Sequence, residues 1–313
     1  MLALTLQTLS VTAPVFAMLF LGHLLLRLRW IDEAFINTAS TLVFKGTMPV
    51  LLFLVMQEAD LDAAVQPRVL GYFAAATLGA FLFAWGWAIW RVPRAERGVY
   101  VQGAFRGNNG IIGLALAGSL YGSYGLSLGA VLTALVILMF NGLSVMILAI
   151  YSPHGRASVG GVLLGIARNP LIIGVVVSLP FAYWQIRLPE WLTTSADYFA
   201  RMTLPLALIC IGGSLTFSAL RNSSALAVSA SLMKMIWLPG LATLGAWAVG
   251  LRGAELGILF IYFACPTAAA SFVMAKAVGA NAELSAAIIV LTTLLSVVSI
   301  NAGILVLQAL GVA

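Results

Sequence analysis

The sequence predicts an all-α polytopic membrane protein, with about ten transmembrane helices in two inverted five-helix repeats and with helices four and nine broken where they cross. Three observations predict it. Of the 313 residues, 62% are hydrophobic and only 8% charged, where a soluble domain has about 25% charged. Apolar runs of about 20 residues recur from end to end, each long enough to span a bilayer. A set of residues recurs in one register between the halves, and each half carries one helix-breaking interruption inside an apolar run. The formal net charge of +6 comes from bases scattered between the runs, which fits positive-inside loops better than a nucleic-acid surface.

Charge, Pro and Gly punctuate the runs and place the elements in order. The first helix spans 4–26, up to Arg27; no basic segment follows Met1, so it reads as a retained helix and not a cleaved signal. The second, 35–57, lies between Asp32-Glu33 and Glu58, and the third, 69–91, between Arg68 and Arg91. The fourth and fifth, 97–121 and 125–151, are separated at Gly122. After Pro153 and Arg156 come 158–184 and, beyond Pro189, 191–217. The last three are 225–249 after Arg221, 256–277 after Glu255, and 284–310 after Glu283. Two units follow, residues 1–151 and residues 152–313, each with five helices.

Charge sets the expected orientation. With the N-terminus outside, nine bases (Arg27, Arg29, Arg91, Arg94, Arg97, Arg156, Arg168, Arg221, Lys276) lie in inside loops and three (Arg68, Arg187, Arg252) in outside loops. Both termini are therefore expected outside. The repeat comes from Pro14, Lys45, Thr47 and Pro49, which return as Pro170, Arg201, Thr203 and Pro205, with Gly122 opposite Gly279 one residue out of register. Five helices per half, an odd number, require the halves to be inverted, a transporter signature.

The interruptions mark the candidate site, because inverted-repeat carriers bind substrate at mid-membrane between discontinuous helices. Phe105-Arg106-Gly107-Asn108-Asn109-Gly110 breaks the fourth helix, and Phe263-Ala264-Cys265-Pro266-Thr267 the ninth. Asn108 and Asn109 offer donors and acceptors, and the half-helix starting near Gly110 points N–H groups at its surroundings, which suits a carboxylate. The alternative is that the asparagines cap the broken helix or bond carbonyls that its neighbours expose. Lys45, Arg106, Arg201 and Lys234 fall within spans that hold no deep carboxylate, although an unpaired base at the bilayer centre costs at least about 2.5 kcal/mol. An anionic substrate is the simplest missing partner. Arg106 is favoured because it adjoins the break; Lys45, Arg201 and Lys234 are candidate anion-attracting residues, of which Lys45 and Arg201 could instead pair with carbonyls or snorkel.

Other patterns argue for little. Cys210 and Cys265 lie within apolar runs, so neither a disulfide framework nor a CxxC metal site is expected. Small-xxx-small pairs at Gly103 and Gly107, Gly118 and Gly122, and Gly253 and Gly257 read as close helix packing. Gly125-Leu126-Ser127-Leu128-Gly129 matches a nucleophile-elbow string without its strand-turn-helix setting, so no enzyme is expected. No phosphate-binding loop, cofactor or metal cluster is expected either.

Several stretches resemble the auxin efflux carrier family, which includes bacterial malonate or malate carriers and the plant auxin exporters. They are Phe105 to Gly113, Asn169 to Gly174, Leu204 to Leu215, Lys234 to Pro239, and Cys265 to Ala287. The resemblance covers nearly the whole chain. It implies a carrier of organic anions with a fold like that of bile-acid symporters and sodium-proton antiporters. It also implies a scaffold of helices one, two, six and seven, dimeric through that scaffold, a mobile bundle of the other six, and an elevator-like displacement. The binding residues it carries over are Asn108, Asn109, Pro266 and Thr267. Where family members often have a Pro five residues after the Gly-rich break, this chain has Ala115, so asparagine and glycine must open helix four.

The expected function is therefore a secondary carrier of a small mono- or dicarboxylate, with Arg106, Asn108, Asn109, Gly110, Pro266 and Thr267 at the site. Coupling to Na⁺ or H⁺ stays open. A sodium symporter of the bile-acid type, a channel and a non-transporting sensor are the competing readings.

Overall fold

Residues 13, 14, 17, 18, 20–57, 66–151, 164, 168, 170–214, 225–268 and 270–312 are described by a computed structural model. Among them the chain is helical throughout, with one isolated β-bridge. The expected helix start at 4 and the loop bases Arg156 and Arg221 lie outside the described residues, as does most of 158–169.

The first half opens with α1 (20–27), then α2 (Glu33–Leu42), which Asp32 caps by accepting from the Phe35 N–H at 2.7 Å. A π turn at Val43–Thr47 leads directly into α3 (Met48–Gln57). Pro67, at the first turn of α4 (Pro67–Arg91), starts a helix where its missing N–H costs nothing. Then come α5 (Arg97–Phe105), a non-helical step, a π turn at Asn109–Gly113, and α6 (Leu114–Tyr151). The expected separation of the fourth and fifth helices lies within α6 at Gly122, whose φ of 58° only glycine adopts without strain.

In the second half, α7 (Pro170–Tyr183) is followed by α8 (Glu190–Arg201) and α9 (Thr203–Ser214), so the single helix expected over 191–217 is interrupted at Met202. A π turn at Met233–Trp237 joins α10 (Ala225–Leu232) to α11 (Leu238–Ala248). The run expected over 256–277 is two helices, α12 (Gly253–Ala264) and α13 (Ala270–Ala277), and α14 (Ala282–Ala309) ends the chain.

Four helical stretches among the described residues, Pro67–Arg91, Asn109–Tyr151, Ala225–Ala248 and Ala282–Ala309, are long and apolar enough to cross a bilayer. The protein is a polytopic helical membrane protein. Its outer faces carry exposed Leu82, Phe83, Val176, Leu244 and Val298, side chains that only lipid or another protein surface shields from water.

The main core joins α4, α5, α6, α10, α11, α12 and α14 through Phe73, Tyr100, Leu132, Ala230, Leu238, Leu256 and Ile288. A smaller cluster of Val43, Met48, Leu52, Met56, Leu114, Ala130 and Ala207 packs α3 and α9 against α6. Close approach in the second group of helices depends on missing side chains: a Cβ on Gly22 would overlap the Ile209 carbonyl, and one on Gly174 would lie 2.7 Å from the Pro49 carbonyl oxygen. Of the small-residue pairs expected to pack helices, Gly103 lies against Ile288 and Gly257 against Tyr121. Gly122 and Gly253 instead take left-handed backbone at a kink and a helix start, so the sequence spacing overstated packing at those two.

Candidate functional site: the crossing of two broken helices

Both sequence interruptions fall on backbone that leaves the helix, and the structure brings them together. α5 ends at Phe105, with Arg106 extended at φ −79°, ψ 111°. α12 ends at Ala264, with Cys265 at φ −58°, ψ 137°. The extended segments run antiparallel and bridge at Gly107 and Thr267. The Asn108 N–H donates to the Pro266 carbonyl at 2.7 Å, and the Ala268 N–H to the Arg106 carbonyl at 3.3 Å. Each break thereby satisfies backbone that the other exposes, which is how non-helical chain is tolerated at membrane depth. Pro266 lacks an N–H but uses its carbonyl as an acceptor.

A helix that stops inside the protein leaves its last carbonyls without partners, and here side chains from across the break supply the donors. The Thr267 hydroxyl donates to the Gly103 carbonyl in the last turn of α5 at 2.7 Å. Reciprocally, the Asn109 Nδ2 donates to the Tyr262 carbonyl in the last turn of α12 at 2.7 Å. Lys234, 2% exposed, completes both ends: its Nζ donates to the Phe263 carbonyl at 3.0 Å and the Phe105 carbonyl at 3.4 Å. A cation between two helix C-termini also meets the negative ends of both dipoles. The Thr267 N–H bonds the Thr292 hydroxyl at 3.0 Å, tying the crossing to α14. Thr133 and Tyr262 hydroxyls lie 3.1 Å apart, and Tyr262 donates to the Gly129 carbonyl at 2.6 Å, tying it to α6.

Arg106 is 8% exposed. Its guanidinium reaches Asn141 Oδ1 at 2.9 Å, Ser144 Oγ at 3.1 Å, Met274 Sδ at 3.0 Å and the Phe140 carbonyl at 3.5 Å, while Nε has no partner. All these acceptors are neutral, so its positive charge is held without a carboxylate among the described residues. Asn108 is half-buried and, among the described residues, bonded only through its backbone. Gly110 opens the half-helix against the smaller cluster: a Cβ there would lie 3.1 Å from the Met48 methyl of α3. The crossing therefore lies beside α3.

The other basic candidates are elsewhere. Arg201 forms an exposed ion pair with Asp197, one turn earlier in α8, at 2.6 Å. Arg201, expected in a span without a deep carboxylate to neutralise it, is neutralised by this exposed pair, because Asp197 lies one turn away in the same helix. Lys45 is exposed in the π turn after α2. Lys234 bonds the Phe105 and Phe263 carbonyls, partners that the sequence did not indicate for it. Sequence reasoning missed Thr292, Asn141 and Ser144 as partners of the crossing; single Ser, Thr and Asn residues on long apolar helices carry no spacing that would single them out.

A family described as Membrane transport protein matches residues 9–160 and 152–302. A protein of Rhizobium meliloti named "Putative malonate transporter" is 27% identical over 305 residues, covering 92% of each chain. An uncharacterized transporter of Methanothermobacter thermautotrophicus is 24% identical over 291 residues, covering 91% of this chain and 94% of its own. A "Probable auxin efflux carrier component 5b" of Oryza sativa is 28% identical over 147 residues, 44% of this chain and 39% of its own. With two broken helices bridged in its interior and family matches running from residue 9 to 302, this chain belongs to the auxin efflux carrier family of membrane transport proteins.

Proposed function

We propose that the protein is a secondary carrier of a small organic anion, a mono- or dicarboxylate, moved by elevator-type alternating access with the substrate held at the crossing. The supporting observation is the antiparallel bridge at Gly107 and Thr267 beside α3, with a half-buried Asn108 and a buried Arg106 that has no carboxylate partner. The half-helix after the break begins at Asn109, and the first N–H groups of a helix have no intrahelical acceptor. Asn108, the backbone at Gly110 and the positive field of Arg106 together suit a carboxylate. Asn109, Pro266 and Thr267 form the crossing that holds those groups in place.

In this reading residues 1–151 and 152–313 are inverted repeats giving ten spans with both termini outside. The scaffold of 1–57 and 158–217 dimerises, and the bundles of 69–151 and 225–313 move. An inside-negative potential contributes about 2.3 kcal/mol per charge per 100 mV to expelling an anion, so export needs no coupled ion. The Rhizobium meliloti relative's name makes malonate the first dicarboxylate to test.

The test is counterflow in proteoliposomes with labelled mono- and dicarboxylates, comparing wild type with Asn108→Ala. The expected result is saturable exchange of one acid, weakened in the variant. No exchange of any acid by folded protein would overturn the carrier reading, and flux that does not saturate would point to a channel.

A further inference from the structure

We infer that Lys234 is a built-in cation, occupying the place where a coupling ion would otherwise bind, and that transport by this chain therefore needs no alkali cation. The inference rests on the carrier reading for its transport arm and on geometry for the rest. Carbonyls at the C-terminal ends of broken half-helices are a recurrent ligand set for Na⁺ in transporters. Here the carbonyls of Phe105 and Phe263, at the ends of α5 and α12, converge on the Lys234 Nζ at 3.4 and 3.0 Å. The ammonium has three donors, and these two acceptors engage two of them.

A further oxygen belongs to the same place. Lys234, Thr77, Tyr262, Phe105 and Phe263 line one small cavity, with about 10 Å³ open to the centre of a water molecule. Thr77 is 2% exposed, and its hydroxyl has no hydrogen-bond partner among the described residues. Two carbonyls and a hydroxyl are hard oxygen ligands of the kind that alkali cations take. The charge is positioned by the π turn at Met233–Trp237, which puts Lys234 among buried Met233 and Met235. Covalent attachment keeps the ammonium in place: it travels with the bundle, and no alkali-cation gradient can drive its release.

The experiment removes the tether and supplies the free ion. Thermal unfolding of detergent-solubilised wild type and Lys234→Ala is measured in choline, Li⁺, Na⁺ and K⁺ chlorides, and wild-type exchange is measured with and without alkali cations. Wild-type stability and exchange are expected to be the same in every salt. Lys234→Ala is expected to be destabilised in choline and to regain about 5 °C in Tm at about 100 mM of an alkali cation that fits, as for a ligand bound only to folded protein. Lys234→Ala,Thr77→Val, lacking the third oxygen, should regain less. Wild-type exchange that requires Na⁺ or K⁺ would overturn the inference, as would a Lys234→Ala protein that no alkali cation stabilises. If no acid is exchanged at all, the carrier reading fails while the salt-dependent Tm still decides the role of Lys234.

Discussion

Replacing Thr267 by Val tests whether the two broken helices hold each other. Val keeps the shape of Thr but removes the hydroxyl that donates to the Gly103 carbonyl at 2.7 Å, while the Thr267 N–H keeps its bond to Thr292. Thr267 is buried and Gly103 lies in the fully buried last turn of α5, so water cannot replace the lost donor. A buried carbonyl left without its partner costs about 1 to 3 kcal/mol, and about 2 kcal/mol corresponds to a Tm lower by about 4 to 8 °C. Thr267→Ser, which restores the hydroxyl, should recover most of the loss. Asn109→Ala removes the reciprocal bond to the Tyr262 carbonyl, and the double variant should cost less than the sum of the singles, because the first loss already loosens the crossing. Thermal unfolding in detergent reads all four proteins. A Thr267→Val protein within about 1 °C of wild type, where the lost bond should cost several degrees, would refute the claim that Thr267 completes α5.

Other substitutions probe separate parts of the molecule. Gly107→Ala places a methyl on the Asn109 amide and 3.3 Å from the Cys265 Cβ; overpacking of about 1 to 3 kcal/mol should lower both Tm and exchange. Arg106→Ala should reduce exchange more than tenfold, since a positive field beside the proposed substrate position is lost together with bonds to Asn141 and Ser144, and Arg106→Lys should rescue it only in part because one ammonium cannot span both acceptors. Arg201→Ala breaks only an exposed ion pair, so stability should change by less than about 1 kcal/mol and counterflow should stay near wild type. Gly174→Val should weaken the α3–α7 contact, because its Cβ alone would meet the Pro49 backbone at 2.7 Å, and is expected to lower Tm.

Much of this protein is determined by sequence alone. Composition commits the chain to a membrane, since 8% charged residues cannot clothe a soluble surface. Apolar run length locates helices, as at Pro67–Arg91 and Ala282–Ala309. Gly107-Asn108 and Pro266 announce where helices stop, because Pro removes a donor and Gly and Asn favour non-helical backbone locally, before any neighbour is present. Partner choice is different. Whether Asn109 meets a ligand or the Tyr262 carbonyl depends on an atom 153 positions away in the chain, and nothing in the local pattern encodes that distance. Lys234 looks like any base stranded in an apolar run until α5 and α12 end beside it. The sequence alone determined the solvent, the helices and their breaks, because those follow from local chemistry. Only the tertiary structure decided which orphaned carbonyls meet which donors, because hydrogen bonding is satisfied across space and not along the chain.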